Sequence, residues 1–443
     1  MGTRTRYCDG LTRRDLVHVG ALGALGLTLP EFLHARHARA AAGAGAVPGG
    51  HATGDRNVIL LWLSGGPSHL DTFDLKPEAP AEIRGDFRPI ETNVSGIQIS
   101  EHLPRLAKQA ERLCILRSVS HNLASHAPGS LFMQTGNRPL ASLRYPNYGS
   151  VVAREKPARA GLPPFVTVPE GGQDTADAGY LGVAYNTYSV GGDPSKPDFS
   201  VRSLTLPAGV TAERVAAREG LAARLDTLFQ DSPRRPDLIQ GMDAFYRQAY
   251  EIIRSSRTRD AFDLKTEAAP VRERYGPTTF GQSCLLARRL VEAGVRFVQV
   301  VYTGWDTHAQ NFQRLKDALL PGLDMGFSSL LQDLHERGLA SNTVVVCMGE
   351  FGRTPKINQG AGRDHWSQGM SVVFAGAGVR AGQVIGRTTA GGEEPVDERI
   401  LPEDVGASLY HLIGVDPPKE YLTSSGRPMA IVRDGKPIAG MLT

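Results

Sequence analysis

The chain has 443 residues, of which 41% are hydrophobic and 21% are charged. This composition excludes a disordered or collagenous protein, and the length allows two or three domains or one large α/β domain. Lysine and arginine number 49 against 46 acidic residues, but residues 1–40 hold six arginines and three acidic residues. Residues 41–443 therefore contain 43 basic and 43 acidic residues. This balance gives no electrostatic basis for binding nucleic acid or an anionic membrane.

Residues 1–40 have the pattern of a twin-arginine export signal. Arg13 and Arg14 precede a short, glycine-rich apolar stretch that ends at Leu29, and Ala38-Arg39-Ala40 offers a small-residue cleavage site. The signal predicts passage through the twin-arginine translocase, cleavage after Ala40, and a periplasmic or secreted protein with no stable membrane span. An uncleaved amphipathic anchor is the alternative. Residues 41–54 are a small-residue linker, and residues 55–443 are predicted to form a single domain.

Apolar runs and helical periodicity alternate along that domain. Runs typical of buried strands cover 57–63, 113–116, 165–168, 296–302, 343–348 and 371–375, and helical spacing covers 101–112, 238–256, 280–293, 315–337 and 405–413. The alternation predicts an α/β fold with a mostly parallel sheet and helices on both faces. Residues 171–207 read as an irregular insertion. In such sheets functional groups gather beyond the carboxyl ends of the strands.

Metal-type side chains follow the predicted strands at 296–302 and 343–348. Asp306 and His308 are two residues apart, so they would point the same way in an extended segment. Asp306 as the N-cap of a following helix is the alternative. Glu350 follows the second strand, and Arg353 could hold an anionic oxygen bidentately or form a surface salt bridge with Glu350.

Two further pairs could ligate a metal. Asp364 and His365 are adjacent in a glycine-rich loop, and His69 and Asp71 follow the first strand two residues apart. An ordinary polar turn is the alternative for the loop. Nitrogen and oxygen ligands together favour zinc, with manganese or calcium as other possibilities.

A histidine- and serine-rich segment at 118–130 supplies candidate catalytic groups. Ser125 is a hydroxyl nucleophile candidate, with His121 or His126 to move a proton. Further metal ligation or simple loop hydrogen bonding are alternatives. The sequence lacks the Gly-x-Ser-x-Gly elbow and the phosphate-binding glycine loops of nucleotide enzymes.

The chain resembles the bacterial family known as domain of unknown function 1501, which is related to the alkaline phosphatase and sulfatase superfamily. The resemblance covers nearly the whole chain and rests on the following segments: Thr12–Asp15, Gly65–Asp74, His121–His126 with Thr135-Gly136, Gly281–Gly294, Gly304–His308, Gly349–Pro355 and Gly362–Trp366. It implies an alkaline phosphatase-like three-layer sandwich, one or two metals, and a nucleophile that attacks phosphorus or sulfur.

Three positions depart from the superfamily pattern. Ser64 stands where an Asp usually follows the first strand, and Glu350-Phe351-Gly352 replaces Asp-His-Gly or Asp-Asn-Gly. Counting back from Thr135-Gly136, the modified-cysteine position of sulfatases falls on His126, so a formylglycine sulfatase is not expected. Ser125 or a metal-bound water is then the expected nucleophile.

The resulting hypothesis is an exported metallohydrolase that cleaves a phosphate or sulfate ester of a small molecule or a polysaccharide. Its expected metal ligands are Asp306, His308, Glu350, Asp364 and His365, with His69 or Asp71, and its expected catalytic residues are Ser125, His126, His121 and Arg353. The alternatives are a noncatalytic exported binding or assembly protein that keeps the fold, and a metal-free serine hydrolase built on Ser125 and His126.

Overall fold

The structure, a computed structural model, describes residues 56–156, 161–170, 176–201 and 255–443. The predicted leader, the linker and nearly all of the helix predicted at 238–256 lie outside the described residues. The described residues belong to one compact unit. No helix in the described ranges is long and apolar enough to cross a membrane.

A sheet of eight described strands lies at the centre of this unit. The strands are β1 Asn57–Leu63, β2 Leu113–Val119, β3 Phe165–Val168, β4 Tyr188–Ser189, β5 Phe297–Tyr302, β6 Thr343–Met348, β7 Met370–Gly376 and β8 Gln383–Ile385. Their spatial order is β8-β2-β7-β6-β1-β5-β3-β4. Within this sheet β7 alone is antiparallel to its neighbours, β2 and β6, and the other pairings are parallel. The mostly parallel sheet is therefore confirmed.

Helices cover both faces of the sheet. Their bounds are α1 Ala81–Arg84, α2 Pro104–Ala107, α3 His126–Thr135, α4 Tyr148–Glu155, α5 Ser256–Phe262, α6 Ala269–Tyr275, α7 Thr279–Ala293, α8 Asn311–Arg314, α9 Leu320–Glu336 and α10 Pro402–Leu412. Short 3-10 turns cover His69–Asp71, Ala110–Arg112, Gly179–Leu181, Val183–Tyr185, Leu264–Thr266 and Ala439–Met441, and a π turn, Leu315–Leu319, joins α8 to α9.

The two faces of β1 show why the sheet is buried on both sides. Ile59 and Leu61 point into a core that also contains residues of α7 and α9, such as Leu285 and Leu323. Val58, Leu60 and Trp62 belong to a second core with residues of α4 and α10. All seven β1 side chains are buried, which explains the continuous apolar run. The three-layer sandwich is thus confirmed.

Two predicted elements differ from the structure. The helix predicted at 101–112 is limited to α2 and the 3-10 turn Ala110–Arg112. Pro104 disfavours helical backbone at Leu103, so the helix does not include residues 101–103. The segment 176–201, within the predicted irregular insertion, contributes β4 to the sheet edge beside β3.

Short antiparallel hairpins complete the described chain. They pair Pro89–Glu91 with Gln98–Ser100, Gly352–Arg353 with His365–Trp366, Arg387–Thr388 with Pro395–Asp397, and Glu420–Leu422 with Pro428–Ala430. The second of these is tied to the carboxyl end of β1, because Arg353 Nε donates to the carbonyl of Gly66 at 2.9 Å.

Candidate metal centre

Three histidines and a carboxylate meet beyond the carboxyl ends of the parallel strands. His126 begins α3 after β2, Asp306 and His308 follow β5, and His365 lies in the hairpin that follows β6. The His308 and His365 Nε2 atoms lie 3.1 and 3.3 Å from Asp306 Oδ1, and His126 Nε2 lies 3.4 Å from Oδ2. These four side chains are called the histidine cluster below.

Each histidine of the cluster is held through its other ring nitrogen. His126 Nδ1 lies 2.7 Å from Glu350 Oε1, His308 Nδ1 lies 2.7 Å from Asp364 Oδ1, and His365 Nδ1 lies 3.1 Å from the carbonyl of Ala124. These partners are acceptors, so a neutral ring that donates to them has its proton on Nδ1 and its lone pair on Nε2, the nitrogen that faces Asp306. Three Nε2 atoms therefore face the Asp306 carboxylate, which is itself an acceptor.

Two ring nitrogens of the cluster approach each other closely. His308 Nε2 and His365 Nε2 are 2.9 Å apart, a hydrogen-bond distance. A proton or a metal ion between them would offset the repulsion of their lone pairs. An outer acceptor that fixes the tautomer and orientation of a histidine is the arrangement found around protein metal sites.

The separations from Asp306 are close to those between ligands of a small divalent ion. Tetrahedral zinc with ligands at 2.0–2.1 Å requires ligand atoms about 3.3 Å apart, and the separations from the two Asp306 oxygens run from 3.1 to 3.4 Å. The ligand atoms of His126, Asp306 and His365 all lie within 4.8 Å of one another, so these three residues could hold a metal ion. His308 is not part of that group of three, although it contacts both Asp306 and His365.

Charge around the cluster is negative. The carboxylates of Asp306, Glu350 and Asp364 surround the guanidinium of Arg353, and the guanidinium of Arg314 donates to the Asp306 carbonyl at 3.0 Å. Partial burial would raise the pKa of Asp306, but the hydrogen bond and charge of Arg353, with the nearby histidines, lower that pKa to about 2. Asp306 is therefore ionised at neutral pH. The hydrogen bond with Glu350 raises the pKa of His126 against the effect of burial.

Glu350 and Asp364 lie behind the ligand atoms rather than among them. Glu350 is 1% exposed, and its Oε1 accepts from the backbone N–H of Gly65 at 2.9 Å as well as from His126. Asp364 is exposed and receives a bond from Asn358 Nδ2 at 3.2 Å in addition to His308. Both carboxylates therefore hold histidines by hydrogen bonds. The sequence analysis had expected them to ligate the metal directly.

Arg353 also has a different place from the one expected. Its side chain is fully buried, and its guanidinium donates to the backbone carbonyls of Gly65, Gly66, Trp305 and Arg363 and to Asp306 Oδ1. These bonds occupy the donors that would have to reach a substrate oxygen. Arg353 joins the loops that carry the cluster and positions Asp306.

His121 is a buried support and not a group at the open cluster. Its Nε2 lies 2.7 Å from the Glu350 carbonyl, and its Nδ1 accepts from the Leu123 N–H at 3.1 Å. Burial lowers its pKa to about 4, although the bond to the Glu350 carbonyl acts in the opposite direction. The ring is therefore neutral at physiological pH, and its geometry does not fit the expected role in proton transfer.

The structure does not bring His69 and Asp71 to the cluster. Both belong to the buried turn that follows β1, where His69 Nε2 lies 2.9 Å from the Gly392 carbonyl. Asp71 pairs with Arg363 through bonds of 2.8 and 3.1 Å and accepts from Asn311 at 2.9 Å. The same two-residue spacing does not align His69 with Asp71, because residues 69–71 form a 3-10 turn and not an extended segment.

Ser125 lies directly beside the cluster. It is the N-cap residue of α3, it is exposed, and its side chain makes no capping hydrogen bond with the helix. The residues on either side, Ala124 and His126, both contact members or supports of the cluster. Ser125 is therefore an exposed residue next to His126 in the chain.

Two residues that support the cluster, Asn358 and Gly65, were not identified as functional residues from the sequence. Asn358 donates to the His308 carbonyl at 2.9 Å, and its Oδ1 accepts from the N–H groups of Gly360 and Gly362. An Asn followed by glycines is typical of such a turn and could have located it. Gly65 has φ +119°, and a Cβ there would lie 2.3 Å from the Asp306 nitrogen, so only glycine allows β1 to approach that loop.

A protein-family model matches most of the chain. The model of the family described as "Protein of unknown function (DUF1501)" matches residues 55–442. The chain belongs to this family. For this DUF1501 protein, a search of curated proteins found no match.

Solved structures show weak similarity. A protein in the alkaline phosphatase superfamily from Vibrio parahaemolyticus has a TM-score of 0.38 and 10% identity, with 82% of this chain and 67% of that chain covered. A sulfatase from Pseudoalteromonas sp. has a TM-score of 0.37 and 13% identity, covering 82% and 68%. Alkaline phosphatase from the Antarctic bacterium TAB5 has a TM-score of 0.36 and 12% identity, covering 81% and 98%.

Proposed function

We propose that this protein is an exported hydrolase that binds a divalent metal ion, zinc first, at the histidine cluster and cleaves a phosphate or sulfate ester. The observation that carries the proposal is the convergence of three histidine Nε2 atoms on the Asp306 carboxylate, each ring having an acceptor at its Nδ1. In this assignment His126, Asp306, His308 and His365 are the ligands.

Charge supports the choice of a cation. The three carboxylates outnumber the two guanidinium groups beside them, those of Arg353 and Arg314, so a bound cation would offset the excess negative charge. Without that ion the cluster would repel an anionic ester. When bound, the ion supplies Lewis-acid polarisation of the ester and lowers the pKa of an attacking group.

The residues around the cluster assign the remaining roles. His126 is the first residue of α3, so the positive end of that helix faces the same space and favours an anionic substrate. Ser125 is the exposed serine beside His126 and is assigned as the attacking group, with water as the alternative. Glu350, Asp364, Arg353 and His121 position these groups and do not contact the substrate.

A location outside the cytoplasm is proposed from the sequence of residues 1–40. The proposal is that Arg13 and Arg14 direct export by the twin-arginine route. Replacement of both by lysine should leave the full-length precursor in the cytoplasm, whereas the wild-type chain should be found in the periplasm or medium. Equal export of both chains would contradict this route.

Hydrolysis is tested with an aryl phosphate and an aryl sulfate, each with added zinc, manganese or calcium. The wild-type protein should cleave one ester, a chelator should stop it, and Asp306→Ala should lower kcat/KM by at least about 100-fold, about 2.7 kcal/mol. Leu422→Ala, a change at a side chain 67% exposed and apart from the cluster, is the control.

Other results would support the alternatives. Cleavage that resists a chelator but is lost in Ser125→Ala would indicate a metal-free serine hydrolase. Bound metal without cleavage of either ester would overturn the hydrolase proposal and favour a binding or assembly protein. With metal-dependent cleavage, Ser125→Ala separates the two attacking groups, because a water mechanism would keep most of its activity.

A further inference from the structure

Phe351 is a buried aromatic residue that contacts two members of the histidine cluster. Its ring centroid lies 5.2 Å from that of His126 and 4.6 Å from that of His365, and in both pairs the ring planes are tilted by 38°. The rings of His126 and His365 also contact each other, at 4.4 Å and 76°. The three rings therefore form one contiguous group. The proposed function assigns no role to Phe351.

Backbone on two sides encloses the Phe351 ring, which is 0% exposed. A Cβ at Gly66 would lie 2.6 Å from two carbons of the ring, and a Cβ at Gly129 would lie 3.2 Å from a third carbon. His126 and Gly129 are three residues apart in α3, so they lie on the same side of that helix. The ring is thus held between the loop after β1 and the helix that carries His126.

The plane of a histidine ring is not fixed by a hydrogen bond at Nδ1 alone. That bond holds one atom, whereas the torsion that turns the ring, χ2, has broad minima. Because the lone pair of Nε2 lies in the ring plane, the plane sets the direction from which a metal ion is bound. A second contact, against another part of the ring, is therefore needed to orient a ligand.

Phe351 supplies that second contact to two of the three histidines. The rings of His126 and His365 lie against it, whereas the ring of His308 contacts that of His365 at 4.6 Å. An apolar side chain behind the ligands also limits the access of water to the site.

We propose that Phe351 is a positioning residue, which fixes the ring planes of His126 and His365 and through them the affinity of the cluster for a metal ion. The inference rests on the proposed function, because it takes these two histidines as ligands. The buried Phe351 ring acts through the histidines and does not contact the substrate.

Competition for zinc with a chromogenic chelator tests the effect on affinity. Phe351→Leu keeps an apolar side chain but loses the flat ring, so zinc affinity should fall about tenfold. Phe351→Met should also weaken binding, because its side chain is flexible and cannot hold a ring plane. Methionine fills irregular spaces well, so this second variant keeps the test decisive if Phe351→Leu does not fold.

The matched control is Phe297→Leu. Phe297 is also 0% exposed and contacts another ring, that of Phe165, at 5.2 Å. It begins β5, and the cluster lies beyond the carboxyl end of that strand, roughly 17 Å away at 3.3 Å per residue. Phe297→Leu should therefore lower the midpoint of unfolding in urea, as Phe351→Leu should, but leave zinc affinity within about twofold of that of the wild type.

Proton NMR of the metal-free proteins tests the ring contacts without any metal. The ring current of Phe351 acts on the Cε1 and Cδ2 protons of the histidines that it contacts, His126 and His365. In Phe351→Leu the signals of these two histidines should shift more than those of His308. Phe297→Leu should leave the signals of all three in place.

Two outcomes would overturn the inference and leave the proposed function standing. One is zinc affinity that is the same in the wild type and both Phe351 variants, and the other is an equally large loss of affinity in Phe297→Leu. The reverse result is also distinguishable. Shifted signals of His126 and His365 in a protein that takes up no metal would keep the role of Phe351 in orienting the rings and remove the metallohydrolase.

Discussion

Glu350→Gln tests whether the buried carboxylate supports a metal ligand. Glu350 is 1% exposed, and its Oε1 accepts from the Gly65 N–H and from His126 Nδ1. Glutamine keeps the size of the side chain and an oxygen that can accept, but it loses the charge. Because a charged acceptor makes His126 a more basic ligand, we expect metal affinity to fall 10- to 100-fold, about 1.4–2.7 kcal/mol.

The matched control is Asp364→Asn. Asp364 supports His308 as Glu350 supports His126, but its side chain is 55% exposed. Water can replace an exposed partner, and such pairs contribute about 0–1 kcal/mol, so affinity should fall no more than about fivefold. The two variants thus compare a buried support with an exposed one.

The assay is competition for zinc between the metal-free protein and a chromogenic chelator at pH 7.5. Circular dichroism monitors folding, and proton NMR should show a lower pKa for His126 in Glu350→Gln, because the bond to the carboxylate raises it in the wild type. Unchanged zinc affinity in Glu350→Gln, or a larger loss in Asp364→Asn, would refute the reasoning.

Three further predictions concern the buried groups around the cluster. Arg353→Gln should lower the free energy of unfolding by about 3–5 kcal/mol in urea titrations, because it leaves buried carbonyls without donors. Asp71→Asn should lower the free energy of unfolding by about 3–5 kcal/mol, because the buried Arg363 loses its charged partner. The same variant should leave the metal content of the folded protein unchanged. In the metal-free protein, His121 has a pKa of about 4 when folded and about 6.5 when unfolded. Between these pH values only the unfolded chain binds the proton, so the free energy of unfolding falls as the pH drops from 6.5 to about 4. His121→Gln should remove up to about 3 kcal/mol of that fall, and an equally steep pH dependence in this variant would contradict the account.

The sequence predicted six of the eight described strands of the sheet, all except β4 and β8, and the edge where the side chains meet. The apolar run of β1 has no polar alternation because both of its faces are buried, and that pattern is visible without a structure. Parallel strands end at one edge, so Asp306, Glu350 and the segment that contains His126 could be expected there together. Spacing also aligned Asp306 with His308 correctly.

Direction and burial of individual side chains could not be predicted in the same way. His69 and Asp71 have the spacing of Asp306 and His308, but a 3-10 turn places them inside the protein. Asp71 is neutralised by Arg363, 292 residues later, a pairing that depends on the tertiary fold. Arg353 could equally have faced solvent, because nothing local indicates that distant carbonyls occupy its donors.

The antiparallel direction of β7 had no signal either. Its apolar run resembles those of β1 and β6, and direction is set by the connection between strands rather than by the strand residues. The chain that joins β6 to β7 carries the hairpin with His365 and Trp366 and contains no crossover helix among the described elements. A connection of this kind suits an antiparallel neighbour.

Metal analysis of the purified protein tests the central claim most directly. The mature protein, prepared without chelators, is compared by elemental analysis with the double variant Asp306→Ala and His308→Ala, with Leu422→Ala as the control. The account predicts about one equivalent of a divalent metal in the wild type and the control, and loss of that metal in the folded double variant. Absence of metal from the folded wild-type protein after incubation with zinc, manganese or calcium, or equal metal in the double variant, would contradict it.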